Sequence, residues 1–331
     1  MGQTGDFSAV ANFISPLRMT SRNVYIRFCD HAPDLPLFIQ PWYLDAVCEG
    51  GSWGFAQVEK AGRVAAIWPY FLKKKWGWQY VAMPPLARMM GPYLLPEWRT
   101  TRKEFSILEH LLEQIPRDLA AFEQDFNYTA QNWLPLYWRG FRQTTRYSYF
   151  LKINDLDEVW KNLAPDYRNQ KIPKAKEQVE VKTGGSLDDF LDVHDRSYDR
   201  KGLEPPFSHA LLSRLDAALG SRRQREIFFA HDRQTGAIHS VAYLAWDKQT
   251  AWYLMAGDDP GLRQSGAGIL LTWEAIRYAH EVLKVPYFDF AGSMIRPVER
   301  VRRQFGAEQK PYFRVQKEWS PVWKLGKMLW R

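Results

Sequence analysis

Between Thr250 and Ser293 the chain places an aromatic apolar run, a polar loop with two glycines, a long amphipathic stretch and a second apolar run. The loop reads Arg263-Gln264-Ser265-Gly266-Ala267-Gly268. Glycines where a helix begins let backbone N–H groups approach an anion. The first helical turn has unpaired donors, with the positive end of the dipole behind them. Such a loop can hold a pyrophosphate through its backbone, provided those amides are free; the competing reading is a tight turn capped by glycine. No Gly-Lys-Ser/Thr follows, so this is not a nucleotide P-loop, and the spacing is not that of a dinucleotide-binding turn.

Three further residues are candidates for acid–base or electrostatic work. Asp289 stands between Phe288 and Phe290, and on a strand it shares a face with Tyr287. A carboxylate among rings holds its proton more tightly and can act as a base; equally, it can accept backbone N–H bonds and fix the Gly292-Ser293 turn. Ser293 can donate to an oxyanion or cap the next helix. Arg302, with Arg303 beside it, precedes Phe305-Gly306; arginine cannot be a base but stabilises developing negative charge. Its alternative is a solvated helix face. No His, Asp or Glu grouping has metal spacing, so no metal is expected.

The elements that must position these residues are legible from periodicity. Strands are expected at Trp53–Glu59, Val64–Leu72 and Trp78–Ala82, a helix at Phe105–Ile115, a strand at Leu119–Phe126, a short helix at Asn132–Arg139 and a strand at Tyr147–Ile153. The second half repeats this order. Strands Ile227–His231, Ile238–Trp246 and Thr250–Ala256 precede a helix at Gly266–Leu283. A strand at Pro286–Phe290, a short helix at Val298–Gln304 and a strand at Tyr312–Gln316 complete it. The fold class is α/β, mixed and mostly antiparallel: two tandem units, residues 1–154 and 155–331, with a helical insert between. In that insert Pro173 interrupts Tyr167–Gln178. Ser186 opens a helix to Arg200 with an acidic residue three positions on, and Ser208 caps another to Leu219. Tyr198 and Arg200, at the end of the first of these, could reach an acceptor across a cleft.

With 331 residues, 46% hydrophobic and 25% charged, the chain fits an ordered two-domain protein. A net charge of +8 favours anionic partners: coenzyme phosphates, tRNA, nucleotide-sugars or an anionic membrane face. Cys29 and Cys48 lack metal or redox spacing and read as free thiols. Neither a secretory signal nor a run of about 18 apolar residues is present, so a cytoplasmic location is expected. The tail Trp319–Arg331 mixes rings and cations; it reads as packing back on the first domain, with peripheral contact with the inner membrane as the alternative.

The loop between strand and long helix resembles the acyl-CoA pyrophosphate loop of the GNAT acyltransferases. Across nearly the whole chain, the element order is similar to the FemAB-like branch of that superfamily. Segments 40–47, 67–75 and 167–172 resemble that branch. So does the ending Phe288-Asp289-Phe290-Ala291-Gly292-Ser293, with Pro297-Val298-Glu299-Arg300 and Phe305-Gly306-Ala307 beyond it. The resemblance implies a thioester held between splayed strands, here Tyr253–Met255 and Tyr287–Phe290, with phosphates on Leu262–Gly268. It sets Arg302 against the reacting carbonyl, with Tyr287, Arg303, Tyr198 and Arg200 toward the acceptor. Relatives often carry an acidic residue where Ala291 stands, so a role for that carboxylate is vacant here or taken by another residue. Bulky Tyr93–Arg99, with Pro96, replaces the glycine loop in the first unit, so the donor is expected on the second unit and the acceptor on the first. The resemblance implies acyl-CoA as co-substrate and a small-molecule or lipid-linked amine as acceptor. An aminoacyl-tRNA donor and a non-catalytic binding protein stand as alternatives.

Overall fold

The structure, a computed structural model, describes residues 16–324 apart from Lys201 and Ser293. Ser293 and the tail beyond Lys324 therefore lie outside the described residues. Helices α1 (Pro16–His31) and α2 (Pro41–Val47) lead into strands β1 (Gly51–Lys60), β2 (Arg63–Lys75) and β3 (Trp78–Ala82). A two-residue β4 (Tyr93–Leu94), α3 (Thr101–Glu113), β5 (Leu119–Asp125), α4 (Leu134–Trp138) and β6 (Arg142–Lys152) follow. The insert holds α5 (Leu156–Asn162), α6 (Ile172–Gln178), β7 (Val179–Thr183), α7 (Leu187–Asp199) and α8 (His209–Gly220). Then come β8 (Arg225–Asp232), β9 (Ile238–Trp246), β10 (Thr250–Asp258), α9 (Ala267–Glu281), β11 (Tyr287–Asp289), α10 (Arg296–Gln304) and β12 (Glu308–Glu318).

Local chemistry explains several boundaries. Ser186 Oγ accepts from Asp189 N at 3.0 Å and Ser208 Oγ from Leu211 N at 3.1 Å, so both serines cap the helices expected of them. Pro173 lies in the first turn of α6, and the chain before it, Tyr167–Lys171, takes a wider π-helical turn. Val179–Thr183 is a strand that periodicity missed: five residues are too few to announce themselves, and antiparallel pairing with β8 makes the element.

All strands join one sheet of order β1-β2-β3-β5-β12-β6-β11-β10-β9-β8-β7, with β4 on β2. In each half the strands before and after the long helix pair in parallel, β3 with β5 and β10 with β11, as a helical crossover between them requires. The last strands are exchanged. β6 lies on β11 and β12 lies on β5, while β6 and β12 pair with each other at the centre. The two halves are thereby locked into one sheet rather than two separate ones.

Helices α5, α6 and α9 cover one face of the second half, packing Leu271, Ile276 and Phe288 into a core. Helices α2, α7 and α8 cover the other, with Phe190, Leu212 and Tyr243. The tail up to Lys324 turns back on the first half, where the buried Trp323 ring lies 4.5 Å from that of Tyr80. Cys29 and Cys48 are free thiols.

Candidate active site between two parting strands

Strands β10 and β11 pair only over Thr250–Trp252 and Tyr287–Asp289. Beyond Trp252, β10 continues to Asp258 while the chain after Asp289 turns away, because Ala291 and Gly292 both take left-handed backbone angles. The strands therefore part and leave a wedge. A register shift in the β10–β9 ladder falls between Tyr253 and Met255, so Leu254 is an extra, bulged residue. The bulge overrides simple alternation. Tyr253 and Met255, two apart, should share a face. Instead Tyr253 joins the core under α9, and Leu254 and Met255 both join the core under α7. Only Tyr253 faces Arg302.

Arg302 projects from α10 with its guanidinium 5.0 Å from the Tyr253 ring centre and 4.8 Å from that of Phe290. It therefore lies over the wedge on that face. Its Nε is enclosed and has no hydrogen-bond partner. Burial works against its charge, and so does the nearby cation of Arg88. The Tyr253 hydroxyl accepts from Thr272 Oγ1 at 3.1 Å, tying the strand to α9.

At the apex, Asp289 is completely buried. Its Oδ1 accepts from Ser148 Oγ at 2.6 Å and from Ala291 N at 2.7 Å, and its Oδ2 accepts from Tyr128 Oη at 2.5 Å. Ser148 Oγ in turn accepts from Gly292 N at 2.7 Å. Burial pushes the carboxyl's proton affinity up, and these bonds oppose that rise. The geometry matches the anchoring reading of Asp289: it sets the turn that parts the strands and ties that turn to Tyr128 of the first half.

The glycine loop opens with a 3₁₀ turn at Arg263–Ser265, and Gly266, at φ 76°, starts α9. Three of the expected free amides are engaged. Ser265 N donates to Leu262 O at 3.1 Å, Gly266 N to Arg263 O at a long 3.4 Å, and Ala267 N to Ser265 Oγ at 3.3 Å. A Cβ at Gly268 would stand 2.5 Å from Asp258 Oδ1, so this glycine is demanded by a neighbouring carboxylate as well as by any ligand. Arg263 and Gln264 are exposed at the loop's edge, and Leu262 is half-buried.

A cavity of about 570 Å³ opens at the seam of the two halves, at the starting ends of β10 and β11. Its walls include Asn127, Tyr128, Phe150, Trp252, Tyr287 and Lys310. Lys310 Nζ is held between rings, 4.1 Å from Tyr128 and 4.2 Å from Phe150, and burial lowers its proton affinity. Tyr287, expected toward the acceptor, lines this cavity. Arg303 does not: it is exposed and pairs with Glu299 at 3.1 Å on the surface of α10. Tyr198 rests against the buried His194 ring, 4.9 Å away, and Arg200 is exposed just beyond α7. Both lie near the far end of β10, where Arg196 pairs with Asp259, so they are not brought to the cavity. Sequence reasoning missed Tyr128, Ser148, Lys310 and Arg88. For Arg88 a signal existed, a lone charge in the apolar run Met83–Met90.

Residues 167–310 match the acetyltransferase (GNAT) domain family. That segment, in the second half of the chain, has the sequence of a GNAT acetyltransferase domain. The fold of the whole chain is similar to those of solved FemX and tandem GNAT structures. It is similar to the crystal structure of FemX at 13% identity, covering 88% of this chain and 95% of that one, with a TM-score of 0.67. A tandem GNAT protein from the clavulanic acid biosynthesis pathway matches at 14% identity, 90% and 94% coverage and a TM-score of 0.52. The C-terminal domain (DUF2156) of an Agrobacterium fabrum protein described as a lysylphosphatidylglycerol synthetase matches at 11% identity, 91% coverage of each chain and a TM-score of 0.53. At such identities these likenesses establish fold. No curated protein matches by sequence. Among the described residues no helix is long and apolar enough to cross a membrane.

Proposed function

We propose that this protein moves an acyl group from acyl-CoA to an amine of a sugar, peptide or envelope precursor. The observation that carries the reading is the wedge: parallel strands that part beside a bulge, with an arginine held over the gap. The donor lies on the unit of residues 155–331, with its thioester at the wedge beside Tyr253 and its phosphates against the exposed edge of Leu262–Gly268. The acceptor enters by the cavity that the unit of residues 1–154 closes. As the carbonyl becomes tetrahedral, Arg302 faces the developing charge in a partly enclosed setting, where a cation acts most strongly. Lys310, whose proton affinity burial pushes down, is the cavity group suited to take the amine's proton. A cytoplasmic protein acting on an envelope precursor fits this reading.

An aminoacyl-tRNA donor is the second reading. The Asp258 carboxylate beside Gly268 favours it, because a negative charge at the start of α9 weakens the attraction of that helix for a diphosphate. Titration calorimetry with acetyl-CoA decides between them. Arg263→Glu with Gln264→Glu alters only exposed side chains and should weaken binding about tenfold, or about 1.4 kcal/mol, with the ligand-free melting temperature unchanged. Equal affinity in both proteins, or no binding to wild type, removes the coenzyme reading.

A further inference from the structure

Two cations from opposite halves of the chain flank the same stretch of β10, Tyr253–Leu254. Arg302 comes from α10, over the rings of Tyr253 and Phe290. Arg88 comes from the loop between β3 and β4 and donates through Nη2 to the carbonyl of Leu254, the bulged residue, at 2.9 Å. That loop closes the corresponding gap of the first half, where Met90 bridges Phe126, and it hands Arg88 to the second. Among the described residues the Nε atoms of both arginines are enclosed and without a hydrogen-bond partner. Asp289 is the acidic group whose field reaches Arg302, but its oxygens are committed to Tyr128, Ser148 and Ala291.

Two like charges at neighbouring residues of one strand, in a partly dry setting and with unused donors, are costly at rest. A transient oxyanion relieves that cost only during the reaction and offers a single oxygen. A carboxylate relieves it throughout binding, and its two oxygens match two planar guanidinium forks. The geometry points to a carboxylate seat formed by Arg88 and Arg302, so the substrate carries a carboxylate within a few bonds of the reacting centre. This inference rests on the acyl-transfer reading of the wedge. The carboxylate arrives either on the acyl group, as in a dicarboxylic acyl donor, or on the acceptor, as in an α-amino acid.

Calorimetry on the full chain separates these sources. One arm compares succinyl-CoA with acetyl-CoA; the other compares alanine with alaninamide in the presence of coenzyme A, and again without it. In one arm the carboxylate-bearing probe should bind at least tenfold more tightly, and Arg88→Met should abolish the difference while Arg88→Lys retains part of it. Arg88→Met also loses the bond to the Leu254 carbonyl, so stability alone decides nothing; a lowered melting temperature with the discrimination between probes intact would mark Arg88 as a structural tie only and overturn the seat. So would wild-type protein that discriminates in neither arm. Discrimination between alanine and alaninamide, with no affinity for any coenzyme A species, would sustain the seat while the donor reading fell.

Discussion

Removing one hydroxyl, in Tyr128→Phe, tests whether Asp289 is the anchor joining the two halves. The bond runs from Tyr128, in the loop after β5, to a fully buried carboxylate 161 residues away in sequence. Phenylalanine keeps the ring, its edge-on contact with Tyr312 and the face that Lys310 covers. What is lost is one hydrogen bond to a charged group, about 1.5–3 kcal/mol. A loss near 2 kcal/mol lowers the folded-to-unfolded ratio about 30-fold. The deficit should also depend on pH. Burial places Asp289 above the ordinary value of 3.8, so its contribution to stability is complete below that value and is lost as pH rises through the raised one. Taking away the Tyr128 hydroxyl removes a force that holds the value down. The raised value moves higher, the loss continues further, and the variant's deficit grows with pH. Urea unfolding followed by tryptophan fluorescence at pH 5 and pH 8 measures both effects. A deficit under about 0.5 kcal/mol at pH 8, or one that shrinks as pH rises, would refute the anchor.

Two further substitutions probe the frame around the site. Gly257→Ala places a Cβ 2.7 Å from the Cα of His194, where β10 meets the backbone of α7, and should cost about 1–3 kcal/mol in thermal or chemical unfolding; an unchanged midpoint would mean that α7 yields freely. Trp323→Ala removes the buried ring that lies on Tyr80 and should cost about 3 kcal/mol, detaching the tail from the first half as read by faster proteolysis after Ser320. Unchanged stability and cleavage would show that the tail does not hold the sheet.

Much of the frame was present in the amino-acid order. Strands Trp78–Ala82 and Ile238–Trp246 fall where alternation and turn residues place them, and Ser186 and Ser208 cap their helices through their own side chains. These features are local: a cap or an amphipathic period depends on residues within a few positions. The glycine loop is local too, and Gly266 takes the left-handed turn that starts α9. Its amides were another matter, since whether Ser265 and Ala267 donate inward depends on how the turn closes.

What only the tertiary structure decided is where side chains point and what they meet. Alternation alone puts Tyr253 and Met255 together; the bulge at Leu254 separates them, and a bulge arises from pairing with β9, not from β10 itself. The exchange of β6 and β12 between halves brings Ser148 to Asp289, and the loops of the first half add Tyr128 and Arg88 from more than a hundred residues away. The pattern of local propensities determined the elements, because those depend on near neighbours. The site was assembled by contacts distant in sequence, whose free energy is gained only once the sheet has closed.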